Sequence, residues 1–407
     1  MIEIEEISNE PGSLSRSCRI KVNHKSVITP TEAIGVTQSD RTQLDAATSQ
    51  VNSHFVPLGE VYARVSLDFL TKVIEDDNFG RQFSLRLATR LDQLRDIGTV
   101  PYLMLSLVDN EGNPYNRLPP PKILQLLFDF LWGTNGNSIV VPPILGAFHE
   151  EGEYDKFISA LEKRQKACID RKFLPIMAVL PSSYRLIAPR IIERYWKIGS
   201  RVFAFDFENK KYGAFGYVIE KLHSELTELK KRDREPYVLH ALNSKLRVGR
   251  GQSIRVNNLL ATGFGFDSFG PNHGGRQRWV PPGKPSPPIE TNYLFDNVTY
   301  GFFPLLEFIN MSRKKQKSLL NTNIFRKIDI STIAEQPQDI IKKTCLAHNV
   351  ELALREVRTF PQLIQEKEMI NYFLKKEHIQ KEVKQMKNLA KKSFVSATQK
   401  GLERWFT

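Results

Sequence analysis

The sequence predicts an α/β protein built on a (β/α)8 TIM barrel, with a helical appendage at the C-terminal end. From residue 101 onward, short apolar runs suited to buried strands alternate with segments of helical periodicity. The repeat is roughly 23–36 residues long, about the size of one βα unit. No GxGxxG follows an early strand, which disfavours the competing open, doubly wound sheet.

The first hundred residues predict a hairpin, a loop and one strand–helix unit. Residues 18–35 alternate as a strand, turn at Asn23 and His24, and return as a second strand over 27–34. Residues 37–53 are polar and rich in Ser, Thr and Gln, which is typical of a mobile loop. A strand near 61–67 and a helix over 83–94 follow.

Six further strands and four helices are predicted beyond residue 101. The strands are the apolar runs 102–108, 138–145, 174–180, 202–207, 237–242 and 260–266. The helices are the periodic segments 122–132, 154–171, 184–198 and 212–231. Six strands in a row, added to those before them, favour parallel strands that close into a barrel.

The sequence divides into three regions. Residues 1–280 form the predicted barrel. Residues 281–330 are a connector or lid rich in proline and aromatic residues, and the VPPGKPSPP run at 280–288 cannot be regular helix or strand. Residues 331–407 are predicted to be helical, and their end carries a basic tail: residues 375–404 hold nine Lys or Arg against three Glu.

Charge and cysteine content restrict the class of protein. The formal net charge of +13 favours a polyanionic partner, either nucleic acid or an anionic membrane surface. The three cysteines are far apart, which excludes a disulfide scaffold and a cysteine-rich zinc site. The acidic N-terminus is not a signal peptide, and no apolar run is long enough to span a membrane. We therefore expect a cytoplasmic protein without a membrane partner.

Carboxylates dominate the positions that should carry chemistry. In a barrel enzyme the functional side chains follow the C-terminal ends of the strands. That rule selects Asp109, the segment 146–151, the segment 181–183, Asp206 with Glu208, Asn243 and Asp267. Such carboxylates can act as nucleophiles at a glycosidic carbon or as general acids and bases, whereas the absence of GxSxG disfavours a Ser-His-Asp hydrolase.

Metal binding is the weaker interpretation of these residues. His149, Glu150 and Asp206 could form a metal site, but single histidines more often make ordinary hydrogen bonds. We expect neither a metal nor a cofactor. Asp267 is the strongest candidate for a nucleophile, because it follows a short apolar run and precedes a glycine-rich, basic loop in GFGFDSFGPNHGGRQR.

Several stretches resemble the tRNA-guanine transglycosylase superfamily. FDSFGP at 266–271 is similar to the FDCxxP signature that carries the nucleophilic aspartate of that family. The other similar stretches, in the same order, are RIKVNHKSVITPT at 19–31, YDKFISALEKRQKACIDRKFLPIMAVLP at 154–181, PYVLHAL at 236–242 and AHNVELALREVRTF at 347–360. Together they span residues 19 to about 365.

The resemblance implies base exchange in a nucleic acid. In that family an aspartate attacks the glycosidic carbon, guanine leaves, and a 7-deazaguanine base replaces it. By this match Asp267 would be the nucleophile and Asp109 the nearest second catalytic carboxylate. His149, Glu150, Asp206 and Glu208 stand by position where the family binds the base.

Two further groups of residues are predicted to bind the nucleic acid itself. His273, Arg276 and Arg278 lie in the HGGRQR loop that replaces the family's basic loop. Lys391 and Lys392 lie in the basic tail, where cations can neutralise phosphates. The family's zinc site of three cysteines and one histidine is absent from the sequence.

Three functions remain open at this point. The first is a DNA-guanine transglycosylase, favoured by the strong basicity, the basic tail and the zinc-free substrate side. The second is a divergent tRNA-guanine transglycosylase, and the third is a non-catalytic nucleic-acid-binding barrel subunit. The expected partners are DNA or tRNA, a free 7-deazaguanine base, and by resemblance the other proteins of a DNA-modification system.

Overall fold

The computed structural model describes most of the chain. The described residues are 2–35, 41–52, 55–134, 139–146, 151–167, 175–181, 188–208, 210–244, 254–255, 258–271, 273, 293–311, 316, 322–326, 330–333 and 335–403. Within these residues, no helix is both long enough and apolar enough to cross a lipid bilayer.

Strands make up the centre of the molecule. In chain order they are β1 Ile2–Asn9, β2 Arg16–Val22, β3 Lys25–Ile28, β4 Thr31–Gly35, β5 Leu58–Ser66, β6 Val100–Val108, β7 Ile139–Val140, β8 Met177–Pro181, β9 Val202–Asp206, β10 Val238–Leu242, β11 Ile254–Arg255, β12 Ser268–Phe269, β13 Tyr293–Asp296 and β14 Gly301–Pro304.

Helices follow most of the central strands. They are α1 Arg41–Thr48, α2 Leu67–Glu75, α3 Asp77–Asp96, α4 Pro121–Thr134, α5 Glu151–Ala167, α6 Ala188–Lys197, α7 Gly216–Asp233, α8 Leu305–Ile309, α9 Asn323–Arg326, α10 Ile330–Ile333, α11 Gln338–Gln365, α12 Met369–Leu374 and α13 Gln380–Glu403. Short 3₁₀ helices cover Tyr212–Phe215, Asn258–Phe264 and Glu377–Ile379.

Eight parallel strands form a nearly closed, barrel-like sheet, called the barrel below. Going round it, β4, β5, β6, β7, β8, β9, β10 and β12 are neighbours in chain order, and β12 pairs back with β4. Between β7 and β8, Val140 bridges Ile176, and the Val140 N–H donates to the Pro175 carbonyl at 2.8 Å. The parallel arrangement expected from the alternation of strands and helices is confirmed.

Side chains alternate between the interior of the barrel and its helical shell, as the period of a strand requires. On β9, Val202 and Ala204 join the interior cluster, whereas Phe203 and Phe205 join the large outer cluster under the helices. Every residue of β6 is buried, which agrees with its continuous apolar sequence. The end of the barrel where the parallel strands finish is called the mouth below. Interior side chains at the last residues of each strand therefore face the mouth.

A small antiparallel sheet closes the opposite end of the barrel. Strands β1, β2 and β3 pair in that order, and Cys18, Ile20 and Val27 pack into the same interior cluster as the first residues of the barrel strands. The N-terminal end of the barrel is thereby covered. The predicted hairpin is confirmed over β2 and β3, but the return strand is interrupted after Ile28 and resumes as β4, since Pro30 has no N–H to continue a ladder.

Two predicted elements are wrong. The apolar run 260–266 is a 3₁₀ helix over Asn258–Phe264 followed by a turn, and the barrel strand starts only at Ser268. Gly265 has a φ of +87°, which ends any extended run, and the apolar side chains are buried in contact with both helix α13 and strand β12. The predicted loop 37–53 contains helix α1, whose formation is explained by packing against α11.

The C-terminal region packs onto the barrel. Helix α11 contacts α1 and β4, and helix α13 contacts α7 and the 3₁₀ helix Asn258–Phe264. Strands β11, β14 and β13 form a three-stranded antiparallel sheet beside them. The helices predicted within residues 331–407 are confirmed in α11, α12 and α13, and the proline-rich run 280–288 lies outside the described residues.

Candidate functional site

Asp267 lies at the N-terminal end of the barrel, not at the mouth. It precedes the first residue of β12, and its side chain is 0% exposed. The Arg16 Nε donates to Oδ1 at 2.9 Å and Nη2 donates to Oδ2 at 2.6 Å, while the Leu239 N–H donates to Oδ2 at 2.7 Å. The prediction that Asp267 follows the C-terminal end of a strand is therefore wrong, because that strand begins one residue after it.

The surroundings of Asp267 are those of a structural ion pair. The Arg16 guanidinium also lies 3.9 Å from the centre of the Tyr237 ring, and Nη2 donates to the Tyr237 carbonyl at 3.1 Å. Burial raises the pKa of the Asp267 carboxyl and Arg16 opposes that rise. Both oxygens accept hydrogen bonds and neither donates, which is the pattern of an ionised carboxylate. With no exposed surface, this carboxylate cannot meet a substrate.

Asp206 is the carboxylate that faces the mouth. It is the last residue of β9, and it has the same parity as Val202 and Ala204, which point into the barrel. Its Oδ1 accepts hydrogen bonds from Asn243 Nδ2 at 2.9 Å and from the Glu208 N–H at 2.8 Å. Its Oδ2 accepts none from the described residues, and the side chain is partly exposed. One oxygen is thus fixed by hydrogen bonds, while the other has no hydrogen-bond donor among the described residues.

Burial determines the acidity of Asp206. Removal from water raises the pKa of its carboxyl, and the hydrogen bonds from Asn243 and Glu208 only partly offset that rise. Asn243 and Glu208 both have left-handed backbones, with φ values of +51° and +50°. Such conformations are uncommon outside glycine and cluster at functional sites. The mouth therefore holds one carboxyl in a fixed orientation with perturbed acidity.

Glu60 is a second carboxylate inside the barrel, completely buried on β5. Its Oε1 contacts the His273 Nε2, and its Oε2 accepts a hydrogen bond from the Tyr102 hydroxyl at 2.7 Å. Burial alone would raise the pKa of Glu60, but electrostatic interactions with His273 and His240 and hydrogen bonds with His273 and Tyr102 lower it overall. The pKa values of Glu60 and Asp206 are thus displaced in opposite directions.

A hydrogen-bond chain continues from Glu60 across the barrel. His240 Nε2 lies 3.3 Å from the Tyr102 hydroxyl, and His240 Nδ1 lies 2.9 Å from the Ser268 hydroxyl. Burial lowers the pKa of His240 to about 4, so the ring is neutral at pH 7. Because Tyr102 donates to the ionised Glu60, its oxygen accepts from Nε2–H, and Nδ1 accepts from Ser268. The chain orients Glu60 without carrying a second charge.

Gly270 makes room for this arrangement. It directly follows β12, the last strand of the barrel, on the interior side. A Cβ at this position would lie 2.7 Å from Glu60 Oε2 and 3.2 Å from His240 Nε2. A carboxylate carried by this segment cannot occupy that place. The nearest acidic group to it is Glu60, which belongs to β5.

The other predicted site residues fall into three groups. Asp109 accepts hydrogen bonds from the N–H groups of Glu111 and Asn113 in its own turn, which lower its pKa, so it stabilises a turn. Lys391 and Lys392 are exposed on α13. His149, Glu150, Arg276 and Arg278 lie outside the described residues.

Glu208 and His273 both interact with other residues of the mouth. Glu208 is exposed and pairs with Lys210 at 2.7 Å, and its backbone N–H donates to Asp206. The His273 side chain is only 12% exposed and turns into the barrel to pair with Glu60, and its contact with phosphate stays a prediction.

Sequence reasoning missed Glu60, Tyr62, Tyr102 and His240. A signal for the first two is present in LGEVYARVS, where Glu60, Tyr62 and Arg64 alternate on one face of a strand. Polar residues on the interior face of a barrel strand indicate a site. A strand on the protein surface shows the same alternation, so the sequence alone does not distinguish the two cases. His240 stands alone in the apolar strand VLHAL, which offers no such signal.

A cavity of about 710 Å³ lies at the end of the barrel opposite the mouth. Its lining includes Ile2 and Ile4 of β1 and the residues that precede β8, β9 and β10. The rim cations Lys166 and Arg201 pair with Glu162 and Glu235. It lacks the inward carboxylates of the mouth, and chemistry in this architecture takes place at the C-terminal ends of the strands.

Comparisons with protein-family models and with curated proteins find no match for this chain. Among the described residues, no three His, Cys, Asp or Glu side chains are grouped so as to hold a metal ion.

Proposed function

We propose that the chain is a (β/α)8-barrel enzyme that exchanges guanine for a 7-deazaguanine base in DNA, with Asp206 as the attacking carboxylate. The observation that carries the proposal is the Asp206 carboxyl at the C-terminal end of β9, with Oδ1 fixed by Asn243 and Glu208 and Oδ2 accepting no hydrogen bond from the described residues. The same position at the end of a barrel strand is where enzymes of this architecture place reacting groups.

The chemistry requires one nucleophile used twice. Asp206 Oδ2 attacks the sugar C1′ atom, and the C1′–N9 bond breaks with its electron pair moving to guanine, which takes up a proton from water. The N9 atom of the incoming 7-deazaguanine then attacks C1′, the bond to Asp206 breaks, and N9 loses its proton. A covalent intermediate divides one difficult displacement into two easier ones.

Charge supports a nucleic acid as the substrate. The chain has a formal net charge of +13, and the exposed side of α13 carries basic side chains, namely Lys381, Lys384, Lys387, Lys391 and Lys392. The opposite side of that helix is buried through Val383, Met386 and Leu389. A helix anchored by its apolar side presents its cations to a polyanion.

Base exchange with two acceptors tests the proposal. Radiolabelled guanine is incubated with the protein and either duplex DNA or bulk tRNA, and incorporation is counted for the wild type, Asp206→Asn and Asp267→Asn. We expect incorporation into DNA, reduced at least about a thousandfold by Asp206→Asn, because the amide is not a nucleophile. Label in tRNA alone would assign the tRNA reaction, and full activity of Asp206→Asn would remove Asp206 from the mechanism.

Asp267→Asn separates the two aspartates. Its soluble, folded fraction should retain exchange per folded molecule, because Asp267 has no access to the mouth. Loss of exchange in a fully stable Asp267→Asn protein would return the catalytic role to that residue. Tight binding of DNA with no label incorporated would favour a non-catalytic binding subunit.

A further inference from the structure

The His273 imidazole occupies a planar slot at the mouth. Its ring lies parallel to the Tyr62 ring, with centroids 3.8 Å apart and an interplanar angle of 8°. Its Nε2 meets Oε1 of Glu60. A flat heteroaromatic ring is thus held by stacking on one face and by a carboxylate at one edge.

The slot belongs to the rigid barrel and not to His273. Tyr62 and Glu60 are two residues apart on β5, so they project from the same face of one strand. Glu60 Oε2 is held by Tyr102, and Gly270 leaves the space that the carboxylate fills. These groups would keep their positions if the imidazole left.

Two backbone hydrogen bonds to described residues hold His273 to the barrel. Its backbone N–H donates to Asn243 Oδ1 at 2.9 Å, and its carbonyl accepts from Arg64 Nη2 at 2.7 Å. It lies outside every helix and strand. Each of these two hydrogen bonds joins a side chain at the mouth to the backbone of His273. A ligand or a water molecule can therefore take the place of the His273 N–H or carbonyl.

We propose that the Tyr62–Glu60 slot is a binding subsite for a guanine-type purine or 7-deazapurine base, and that His273 is an internal occupant which the base displaces. The base stacks on Tyr62, and a ring N–H next to an exocyclic amine donates to Glu60 Oε1. The inference rests on the proposed function for the identity of the ligand, and on the geometry of His273 for the subsite.

The groups of the slot select among bases. An ionised Glu60 accepts hydrogen bonds and donates none, so it suits guanine and 7-deazaguanines, which carry an N–H at that edge. Adenine presents an unprotonated ring nitrogen at the corresponding edge. The lone pair of that nitrogen faces the Glu60 carboxylate, and two acceptors repel each other. Displacement of His273 also frees Asn243 Oδ1, an acceptor that lies beside the Asp206 carboxyl.

Binding of free bases, measured separately from exchange, tests the subsite. Titration calorimetry with 7-cyano-7-deazaguanine and with adenine is carried out on the full chain as wild type, His273→Ala, Tyr62→Leu and Glu60→Gln. His24→Ala is the matched control, since His24 is an exposed histidine at the turn of the N-terminal hairpin, away from the mouth.

We expect His273→Ala to bind 7-cyano-7-deazaguanine about tenfold more tightly or better, because an internal competitor lowers apparent affinity by the fraction of open slots. Tyr62→Leu should weaken binding at least about fivefold through lost stacking. Glu60→Gln should reduce the preference over adenine. His24→Ala should leave the affinity unchanged.

Nuclear magnetic resonance of histidine-labelled wild-type protein supplies a measurement that needs no variant in the slot. The His273 ring signals, identified by their absence from His273→Ala, should be displaced upfield by the Tyr62 ring and move downfield when the base is added. Unmoved His273 signals under saturating base, or equal or weaker binding by His273→Ala, would overturn the proposal, as would the absence of binding. Binding with these signatures and no exchange would leave the subsite standing and remove the proposed function.

Discussion

Arg16 and Asp267 join the N-terminal hairpin to the last strand of the barrel. The guanidinium meets both carboxylate oxygens, at 2.9 Å from Nε and 2.6 Å from Nη2, and Asp267 is fully buried. Arg16 begins β2 and Asp267 immediately precedes β12, two elements 251 residues apart in the chain. A pair in this place fixes how the small sheet covers the N-terminal end of the barrel.

Asp267→Asn is predicted to destabilise the fold. Removing one partner leaves the Arg16 charge buried without compensation, which typically costs about 3–5 kcal/mol. Urea unfolding followed by circular dichroism measures the free energy of unfolding of the variant and the wild type. Asp92→Asn is the control, because that carboxylate is 62% exposed in a surface pair with Arg95 and its loss should cost below about 1 kcal/mol. Equal unfolding free energies for Asp267→Asn and wild type would contradict the structural role.

The acidity of Asp206 is predicted to appear in the pH dependence of exchange. A nucleophile must be ionised, so kcat/KM rises as the pH passes upward through the pKa of Asp206. Because burial raises that pKa, the midpoint should lie above the ordinary aspartate value of 3.8. Asn243→Gly removes a hydrogen bond that lowers the pKa, while glycine accepts the φ of +51°. The acidic limb should therefore move to higher pH in Asn243→Gly.

Asn23→Gly is the matched control for that experiment. Asn23 has a similar φ of +54° but lies at the hairpin turn of the opposite end. Its pH profile should overlay that of the wild type. A limb that does not move in Asn243→Gly would mean that another group titrates.

His240 is predicted to make the fold sensitive to acid. Burial lowers its pKa from 6.5 to about 4. The interaction with Glu60 opposes this shift, whereas the interaction with His273 adds to it. Between these pH values the unfolded chain binds the proton and the folded chain does not. The stabilisation is therefore present above pH 6.5 and is lost as the pH falls towards 4, by about 3 kcal/mol.

Urea unfolding at pH 7, 6 and 5 measures this loss. His240→Gln removes the titrating ring, so its unfolding free energy should fall less steeply with decreasing pH than that of the wild type. His24→Gln, at an exposed position, should retain the full slope. Parallel slopes for His240→Gln and wild type would show that His240 does not titrate in this range.

The fold could be predicted because the apolar spacing of each strand and helix is a local feature of the sequence. The site could not be predicted, because it depends on the residue at which each strand begins and ends. Strand 202–207 and helix 122–132 were found from apolar spacing, and the structure has them at β9 and α4. The position of Asp267 depended on whether 260–266 is a strand or a buried 3₁₀ helix, and a short apolar run does not distinguish them. That shift placed the carboxylate at the wrong end of the barrel.

Asp206 and Glu60 illustrate the same limit. Asp206 was selected because it ends a recognisable strand, whereas Glu60 was missed because its partners come from elsewhere in the chain. Tyr102 lies opposite Glu60 on the neighbouring strand β6, and His273 comes from a segment 213 residues further along the chain. A pairing of this kind has no signal in a single sequence.

Gly270→Ala is predicted to disturb the mouth. The added Cβ would lie 2.7 Å from Glu60 Oε2 in a fully buried environment, so the carboxylate must move or the strand must shift. Overpacking of this kind costs typically about 1–3 kcal/mol. Thermal unfolding should show a lower Tm, and base binding should weaken. Gly133→Ala is the control: nothing lies within 4 Å of its added Cβ on α4, so its Tm should be unchanged or higher. A wild-type Tm for Gly270→Ala would contradict the close contact with Glu60.

Lys391 and Lys392 are predicted to contribute to binding through phosphate contacts. Both are exposed on α13, whose apolar side packs on α7, so their loss should leave the fold intact. Each phosphate contact in duplex DNA contributes about 0.9 to the slope of log K against log salt concentration, so the double Lys391→Gln, Lys392→Gln variant should lower that slope by about 1.8. Fluorescence anisotropy with labelled duplex DNA over a range of salt concentrations measures this slope.

The control is the double Lys156→Gln, Lys163→Gln variant, which makes the same change in net charge at exposed positions of α5. It separates local contact with DNA from general electrostatic attraction. A smaller slope in the α13 variant alone would place DNA on that helix, whereas equal slopes for both double variants and the wild type would exclude it.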